Sequence, residues 1–264
     1  MFPYLDAGKR LPTYGLCFLA GMAAAVLAAL FLDRRRRVKR EDLIYGAAIA
    51  IVCGLAGAKL LSVLPNLGAI IENRIPLADV LKNGFVFYGG VIGGALGIFG
   101  YCRAYKVDFI DFLDTAALGL PLGSLFGRIG CFASGCCYGR PTDSFLGVIF
   151  TNPADPNTPV GVPLLPTQLF ESGYCLVIFL VLLLLNRRAV RGRNVIFYLI
   201  SYSVCRFVNE FFRADAERGF LLGMSTSQLI SILLIVASLI LWILLRRGFF
   251  ARKSPPKSPQ DKPA

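Results

Sequence analysis

The feature that most limits what this chain can fold into is the length of its uncharged apolar runs. Residues 14–32 and 226–245 contain no charged side chain, and about 20 residues at 1.5 Å rise reach across roughly 30 Å of hydrocarbon. Comparable segments recur near 43–64, 84–102, 110–127, 168–186 and 195–212. The pattern predicts an all-α membrane protein of about seven transmembrane helices. With 56% hydrophobic residues and a mean hydropathy of +0.64, the chain is too apolar for a soluble domain of ordinary composition. The first run is full length and no Ala-x-Ala-like cleavage site follows it, so it is expected to stay as a helix rather than leave as a signal peptide.

The chain carries 28 Lys and Arg against 16 Asp and Glu, and no histidine. In a soluble protein a formal charge of +12 would raise the question of nucleic acid. Here the position of the charges matters more than their sum, and no nucleic-acid partner is expected. Basic residues gather in alternate connections: Asp33-Arg-Arg-Arg-Arg-Val-Lys-Arg40, Arg103 with Lys106, Arg187-Arg-Ala-Val-Arg-Gly-Arg193, and the stretch from Arg246. Placing these in the cytoplasm predicts a periplasmic N-terminus and a cytoplasmic C-terminus, in keeping with an odd number of spans.

Residues 1–252 read as one integral membrane domain, and 253–264, rich in Pro, Ser and Lys, as a disordered basic tail in the cytoplasm. The outer segments near 66–83 and 141–166 are expected as loops capping the bundle. Pro153, Pro156, Pro159, Pro163 and Pro166 argue against a helix in the second.

Ionisable side chains inside hydrocarbon cost several kcal/mol each, so those that occur there mark function. Lys59 lies in the second span, Arg128 at the end of the fourth, Glu171 at the start of the fifth, and Arg206 with Glu210 in the sixth. Arg206 and Glu210 are four apart and can pair on one helical face, which is either a structural glue or part of a site. Arg128 has Ser124 and Phe132 at helical spacing, hence no local counter-charge. An unpaired arginine in this solvent points to an anionic ligand, with a phospholipid phosphate the obvious chemistry.

Glycines surround these positions. Tyr88-Gly-Gly-Val-Ile-Gly-Gly94 opens the third span, and Gly127, Gly130, Gly135 and Gly139 flank Arg128. Small residues commonly let membrane helices pack closely. The second cluster is also expected to break the helix at membrane depth, where irregular backbone survives only inside protein or along a cavity.

Taken in order, these segments resemble the prolipoprotein diacylglyceryl transferase family. Tyr14-Gly15 is similar to that family's Tyr-Gly pair, and Phe87-Tyr-Gly-Gly90 to its Phe-His-Gly-Gly segment. Gly127-Arg-Ile-Gly-Cys-Phe-Ala-Ser-Gly-Cys-Cys-Tyr-Gly-Arg140 resembles the signature Gly-Arg-x-Gly-Asn-Phe-x-Asn-Gly-Glu-x-x-Gly-Arg. Pro166-Thr-Gln-Leu-Phe-Glu171, Arg206-Phe-Val-Asn-Glu-Phe-Phe-Arg213 and Gly223-Met-Ser-Thr-Ser-Gln228 are similar to its later segments.

The resemblance implies a multi-pass protein of the bacterial inner membrane. It would transfer a diacylglyceryl group from phosphatidylglycerol to the thiol of a lipobox cysteine in a prolipoprotein signal peptide, forming a thioether. It also implies that Arg128 and Arg206 hold the lipid head group and steady the leaving phosphate, with Glu210 orienting Arg206. Tyr14 would be a lining hydroxyl, Gly139 would permit a close turn, and Gly89 and Gly90 would lie beside the head group. Lys59 stands where the family tends to carry arginine, keeping charge but losing the bidentate fork. No cofactor and no metal are implied.

The departures fall in the catalytic segment. The family's histidine is Tyr88, whose ordinary pKa near 10 suits it as a base only beside a cation such as Arg128 or Arg206. The signature's first asparagine is Cys131 and its glutamate Cys136, followed by Cys137. Cys17, Cys53, Cys102, Cys175 and Cys205 are scattered and read as small apolar filler. The cluster admits a disulfide, a soft-metal site, or a thiolate nucleophile or base activated by Arg128. Zinc is the least expected of these, because a closed site wants four ligands. A paralogue moving a lipid-derived group to another acceptor through these thiols is the alternative function, and an anion or lipid transporter a more distant one.

Overall fold

A computed structural model describes residues 3–4, 12–33, 38–72, 74–187, 190–214, 219–221 and 223–249. The tail expected over 253–264 and residues 34–37 of the first basic connection lie outside them. The described chain is built of α1 (Thr13–Leu32), α2 (Arg40–Leu61), α3 (Val63–Ile71), α4 (Leu77–Asn83), α5 (Phe87–Ala104), α6 (Phe109–Ala116), α7 (Leu120–Ser134), α8 (Thr167–Leu185), α9 (Arg193–Asn209) and α10 (Thr226–Arg246). Two short antiparallel ribbons pair β1 (Val148–Ile149) with β2 (Pro163–Leu164), and β3 (Phe220–Leu221) with β4 (Met224–Ser225).

Among the described residues, five helical stretches are long and apolar enough to cross a membrane: Thr13–Leu32, Arg40–Ile71, Thr167–Leu185, Arg193–Phe212 and Thr226–Arg246. Helices α6 and α7 make a sixth if taken as one span bent by 43°. Of the seven expected segments, the one over 84–102 is not among these. Its helix, α5, has 18 residues, but six of them are glycines, which add length and little hydropathy.

The segment expected as one span over 110–127 is broken. Pro121 in the first turn of α7 supplies no N–H and disfavours a helical residue before it. A Cβ at Gly119 would collide with the Ala25 carbonyl, so the break is where the α1 backbone crosses. Helix α7 then runs on to Ser134, so Arg128 lies within it, and Gly127 and Gly130 do not interrupt it. Gly135 does, at φ 81°. The segment near 66–83 is also more helical than expected, since α3 continues almost directly from α2 and α4 follows.

Packing runs α2 along α5, α1 along α7, α8 on both α7 and α9, and α10 on α9. Helices α2 and α5 touch backbone to backbone: a Cβ at Gly57 or Gly89 would strike the carbonyl of the other. Such contact between small residues drives helix association where both sides are apolar. Large apolar side chains such as Leu19, Val52, Leu96 and Leu233 stay exposed on the outer surface of the bundle, the arrangement a lipid solvent requires.

One end of the bundle is tied by buried polar groups. Asp114 Oδ1 accepts from the Asn194 and Val195 N–H groups at 2.7 and 3.1 Å, satisfying free donors at the start of α9. Asn186 Nδ2 donates to the Leu32 carbonyl at 2.7 Å, and Thr115 Oγ1 to Asp33 Oδ2 at 2.9 Å. At the other end the 141–166 segment folds as a cap, with Phe150 and Leu164 fully buried against Tyr138 and Phe132.

Candidate active site

The start of α1, the end of α7, the start of α8, the end of α9 and the start of α10 meet at the capped end, where the last four bring polar side chains together while Tyr14 of α1 stays 43% exposed. Glu171 on α8 is at their centre and only 1% exposed. Its Oε1 lies 3.0 Å from Arg128 Nε and accepts from the Tyr202 hydroxyl at 2.9 Å. Its Oε2 lies 3.7 Å from Arg206 Nη1 and accepts from Asn209 Nδ2 at 3.5 Å. Arg206 Nη2 pairs with Glu210 Oε2 at 2.9 Å and donates to Ser227 Oγ at 3.0 Å.

The two cations and two anions therefore form a line, Arg128, Glu171, Arg206, Glu210. Arg128, expected to lack a counter-charge, is paired across helices by the Glu171 carboxylate of α8. Helical spacing sees only the same helix, so position along the chain does not reveal this partner. The pairing uses only Nε, and both Nη groups of Arg128 have no partner among the described residues. With 22% of its side chain exposed, the guanidinium is held at its root and open at its fork.

Tyr88, on α5, is 3.5 Å from Ser227 Oγ, the hydroxyl to which Arg206 donates. Tyr14, on the first turn of α1, packs against Gly130 and lies within electrostatic reach of Arg128 and of all three clustered cysteines. Arg213 reaches both Glu171 and Cys137 electrostatically. Arg140 sits over the Phe212 ring, 5.4 Å from its centroid.

The three cysteines converge because of how α7 ends. Gly135 N–H bonds the Phe132 carbonyl at 3.2 Å and Cys136 N–H the Cys131 carbonyl at 3.1 Å. This is a Schellman closure, in which the side chains three before the cap and two after it meet. Cys137 follows with φ 61°, a conformation uncommon for a residue with a Cβ. Its carbonyl is held by Thr167 Oγ1 at 2.9 Å, and that of Cys136 by Gln168 Nε2 at 2.6 Å. The three Sγ atoms all lie within 4.8 Å of one another, and all are free thiols.

A family model described as prolipoprotein diacylglyceryl transferase matches residues 5–244. The chain belongs to the prolipoprotein diacylglyceryl transferase family. A protein of Clostridium tetani (strain Massachusetts / E88) named phosphatidylglycerol--prolipoprotein diacylglyceryl transferase is 40% identical over 233 residues, covering 87% of this chain and 91% of that one. One of Clostridium perfringens (strain 13 / Type A) with the same name numbered 2 is 38% identical over 238 residues, 89% and 91% of the two chains. A third, from Clostridioides difficile (strain 630), is 30% identical over 236 residues, 89% and 90%.

Within this family fold, the expected site residues Tyr14, Tyr88, Arg128, Cys131, Cys136, Arg206 and Glu210 come together at one end of the bundle. Gly139 joins them from a tight crossing: its N–H bonds the Leu165 carbonyl at 2.9 Å, and it forms an antiparallel bridge with Arg213. Lys59, Gly89 and Gly90 are placed differently. Lys59 Nζ donates to the Lys82 carbonyl at 2.8 Å, and the two glycines face α2.

Sequence reasoning singled out Glu171 as an ionisable group at membrane depth without seeing it as the partner of both arginines, and it passed over Tyr202, Asn209, Ser227 and Arg213. A signal existed on α9, where Tyr202, Arg206, Asn209 and Glu210 follow the i, i+4, i+7, i+8 spacing of one helical face. A polar face of that kind inside an apolar helix is a directed lining, and Glu171 is what it lines.

Proposed function

We propose that this protein moves a diacylglyceryl group from phosphatidylglycerol to the cysteine thiol of a prolipoprotein lipobox. The observation that carries this reading is the forked guanidinium of Arg128, fixed through Nε to Glu171 with both Nη groups free among the described residues, in a chain matched by the family over nearly its whole length. A phosphate diester fits that fork in bidentate fashion. Arg206, braced by Glu171 and Glu210, supplies the second positive charge for the phosphate as it leaves. Displacement at a glycerol carbon asks the protein chiefly to position two reactants and to neutralise developing charge, and a preorganised, buried array does both without reorganising.

In this reading the chain sits in the bacterial inner membrane with seven spans, α5 among them. The N-terminus is periplasmic, the C-terminus and basic tail cytoplasmic, and the cysteine-bearing end faces outward. Lipid enters from the bilayer, and the signal peptide brings its thiol to the same end. The test is transfer from labelled phosphatidylglycerol to a synthetic lipobox peptide by the purified protein in micelles. A thioether-linked product that depends on the peptide cysteine supports the reading. Failure of well-inserted protein both in this assay and in rescuing a strain depleted of its own transferase would falsify it.

A further inference from the structure

Resting on the transferase reading above, we infer that Cys131, Cys136 and Cys137 form a three-thiolate zinc site whose fourth position takes the acceptor thiol. Three observations carry this. The first is convergence: the three Sγ atoms lie within 4.8 Å of one another. With Zn–S near 2.3 Å, sulfurs of a tetrahedral site sit about 3.8 Å apart, so closure asks each thiol to move by about 1 Å or less, within reach of side-chain rotation.

The second is that convergence is built in from outside the cysteine loop. The Schellman closure aligns Cys131 with Cys136, while two side chains from α8, Thr167 and Gln168, fix the carbonyls of Cys137 and Cys136. Thr158 Oγ1 holds the Gly135 carbonyl at 2.7 Å. The backbone that carries the thiols is thereby held in one conformation, so their convergence does not wait on a ligand.

The third is the ligand count and its surroundings. Among the described residues the group contains three ligand atoms and no fourth, and the chain has no histidine to complete it. Three protein ligands and an open position are the pattern of catalytic rather than structural zinc. Cys131 is buried while Cys136 and Cys137 are partly exposed, so the set is reachable without being open to bulk solvent. Three thiolates with Zn²⁺ carry a net negative charge, and Arg128 and Arg213 both act on Cys137.

Such a site supplies a step that the transfer requires. An acceptor thiol must lose its proton before attack, and the clustered thiols lie at the same end of the bundle as the two arginines proposed to hold the phosphate. A thiol that binds zinc is deprotonated outright. It displaces a zinc-bound water and its proton passes to solvent. Its sulfur then forms the C–S bond to the glycerol carbon as the C–O bond to phosphate breaks, and the electron pair leaves on glycerol phosphate held by Arg128 and Arg206. Nothing is oxidised or reduced.

The experiment uses the full chain, purified reduced in micelles and loaded with Zn²⁺ or Co²⁺. One zinc per chain and thiolate-to-cobalt charge-transfer absorption are expected. Serine at any one cysteine should weaken zinc binding by about tenfold or more, and C131S/C136S/C137S should abolish it. A lipobox peptide should shift the cobalt spectrum, and its Cys→Ser analogue should not. Chelation should slow transfer about tenfold or more, and zinc should restore it, a comparison needing no variant.

Absence of the thiolate band in reduced wild-type protein, zinc content unchanged in the triple variant, or undiminished transfer after chelation overturns the site. If zinc and peptide bind as described yet no lipid moves from phosphatidylglycerol, the zinc site stands and the transferase reading falls.

Discussion

Arg128 Nε and Glu171 Oε1 stand 3.0 Å apart across the α7–α8 interface, and the second oxygen of the same carboxylate faces Arg206. One buried anion thus sets the spacing of the two cations proposed to clasp a phosphate. Removing it leaves two guanidiniums facing each other in a site with little water to screen them.

Glu171→Gln keeps the shape and deletes the charge. Transfer is expected to fall about 10²-fold or more, with the melting midpoint also lowered because a buried pair has lost one member. Glu210→Gln, which frees only one side of Arg206, is expected to cost less. Steady-state transfer and thermal melting of the two variants in micelles check the order. Equal effects would mean that Glu171 does not bridge.

Lysine at position 128 keeps the charge and loses the fork. If Nε anchors and the Nη groups bind, a single ammonium cannot do both, so Arg128→Lys should lose about 10²–10³ in transfer rate. Arg206→Lys should lose less, since its Nη2 is already engaged by Glu210 and Ser227. Measuring kcat and KM for phosphatidylglycerol for both variants decides it. Near wild-type transfer by Arg128→Lys would remove the bidentate role.

Much of the helical architecture was legible because a lipid solvent writes its demand as long apolar runs, and the uncharged runs of α1 and α10 need nothing else. The break between α6 and α7 was not legible. It depends on α1 crossing at Gly119 as well as on Pro121, and a crossing helix leaves no mark in local sequence. The site divides in the same way. Arg206 and Glu210 share a helix and could be paired by counting, whereas Arg128 and Glu171 meet only in the folded bundle. The cysteine convergence lies between these cases, since Cys-x-x-x-Gly-Cys is the spacing of a Schellman closure. Cys137 joins only through an uncommon positive φ that the sequence does not announce.

At the opposite end of the bundle Arg191 Nη2 bonds Asp108 Oδ2 at 2.5 Å, and its Nε lies 3.5 Å from Asp111 Oδ1. Burial alone would raise the Asp108 carboxyl. The hydrogen bond and charge of Arg191, with N–H groups of α6, outweigh it and hold the carboxyl below its ordinary range. A folded carboxyl that titrates below its unfolded value near 3.9 binds fewer protons when folded. It therefore stabilises the fold above about pH 4, and that contribution is lost as pH falls through the lower folded value. Arg191 stays charged throughout. Asp108→Asn should melt lower than wild type at about pH 7, and the gap should close towards about pH 3. Melting curves across that range check it, and a gap independent of pH would assign the loss to capping of α6 instead.

Gly139 offers the sharpest steric test, because what surrounds it is mostly backbone. A Cβ there would lie 2.7 Å from the Leu165 carbonyl oxygen, 2.8 Å from Leu165 Cβ and 2.8 Å from the Phe212 carbonyl oxygen. None of these is a flexible side-chain end. The crossing joins the cysteine loop, the segment leading into α8 and the turn after α9, so moving one strand moves the thiols and Glu171 together. Gly139→Ala is expected to destabilise the fold by about 1–3 kcal/mol and to depress transfer further than that loss explains. At Gly173 on α8 a Cβ would meet nothing within 4 Å, and Gly173→Ala should be neutral or slightly stabilising, helix interiors favouring alanine by about 1 kcal/mol. Comparing transfer per folded molecule between these two variants separates a site held by the crossing from one that merely sits near it. Wild-type transfer by folded Gly139→Ala would break the link between the crossing and the site.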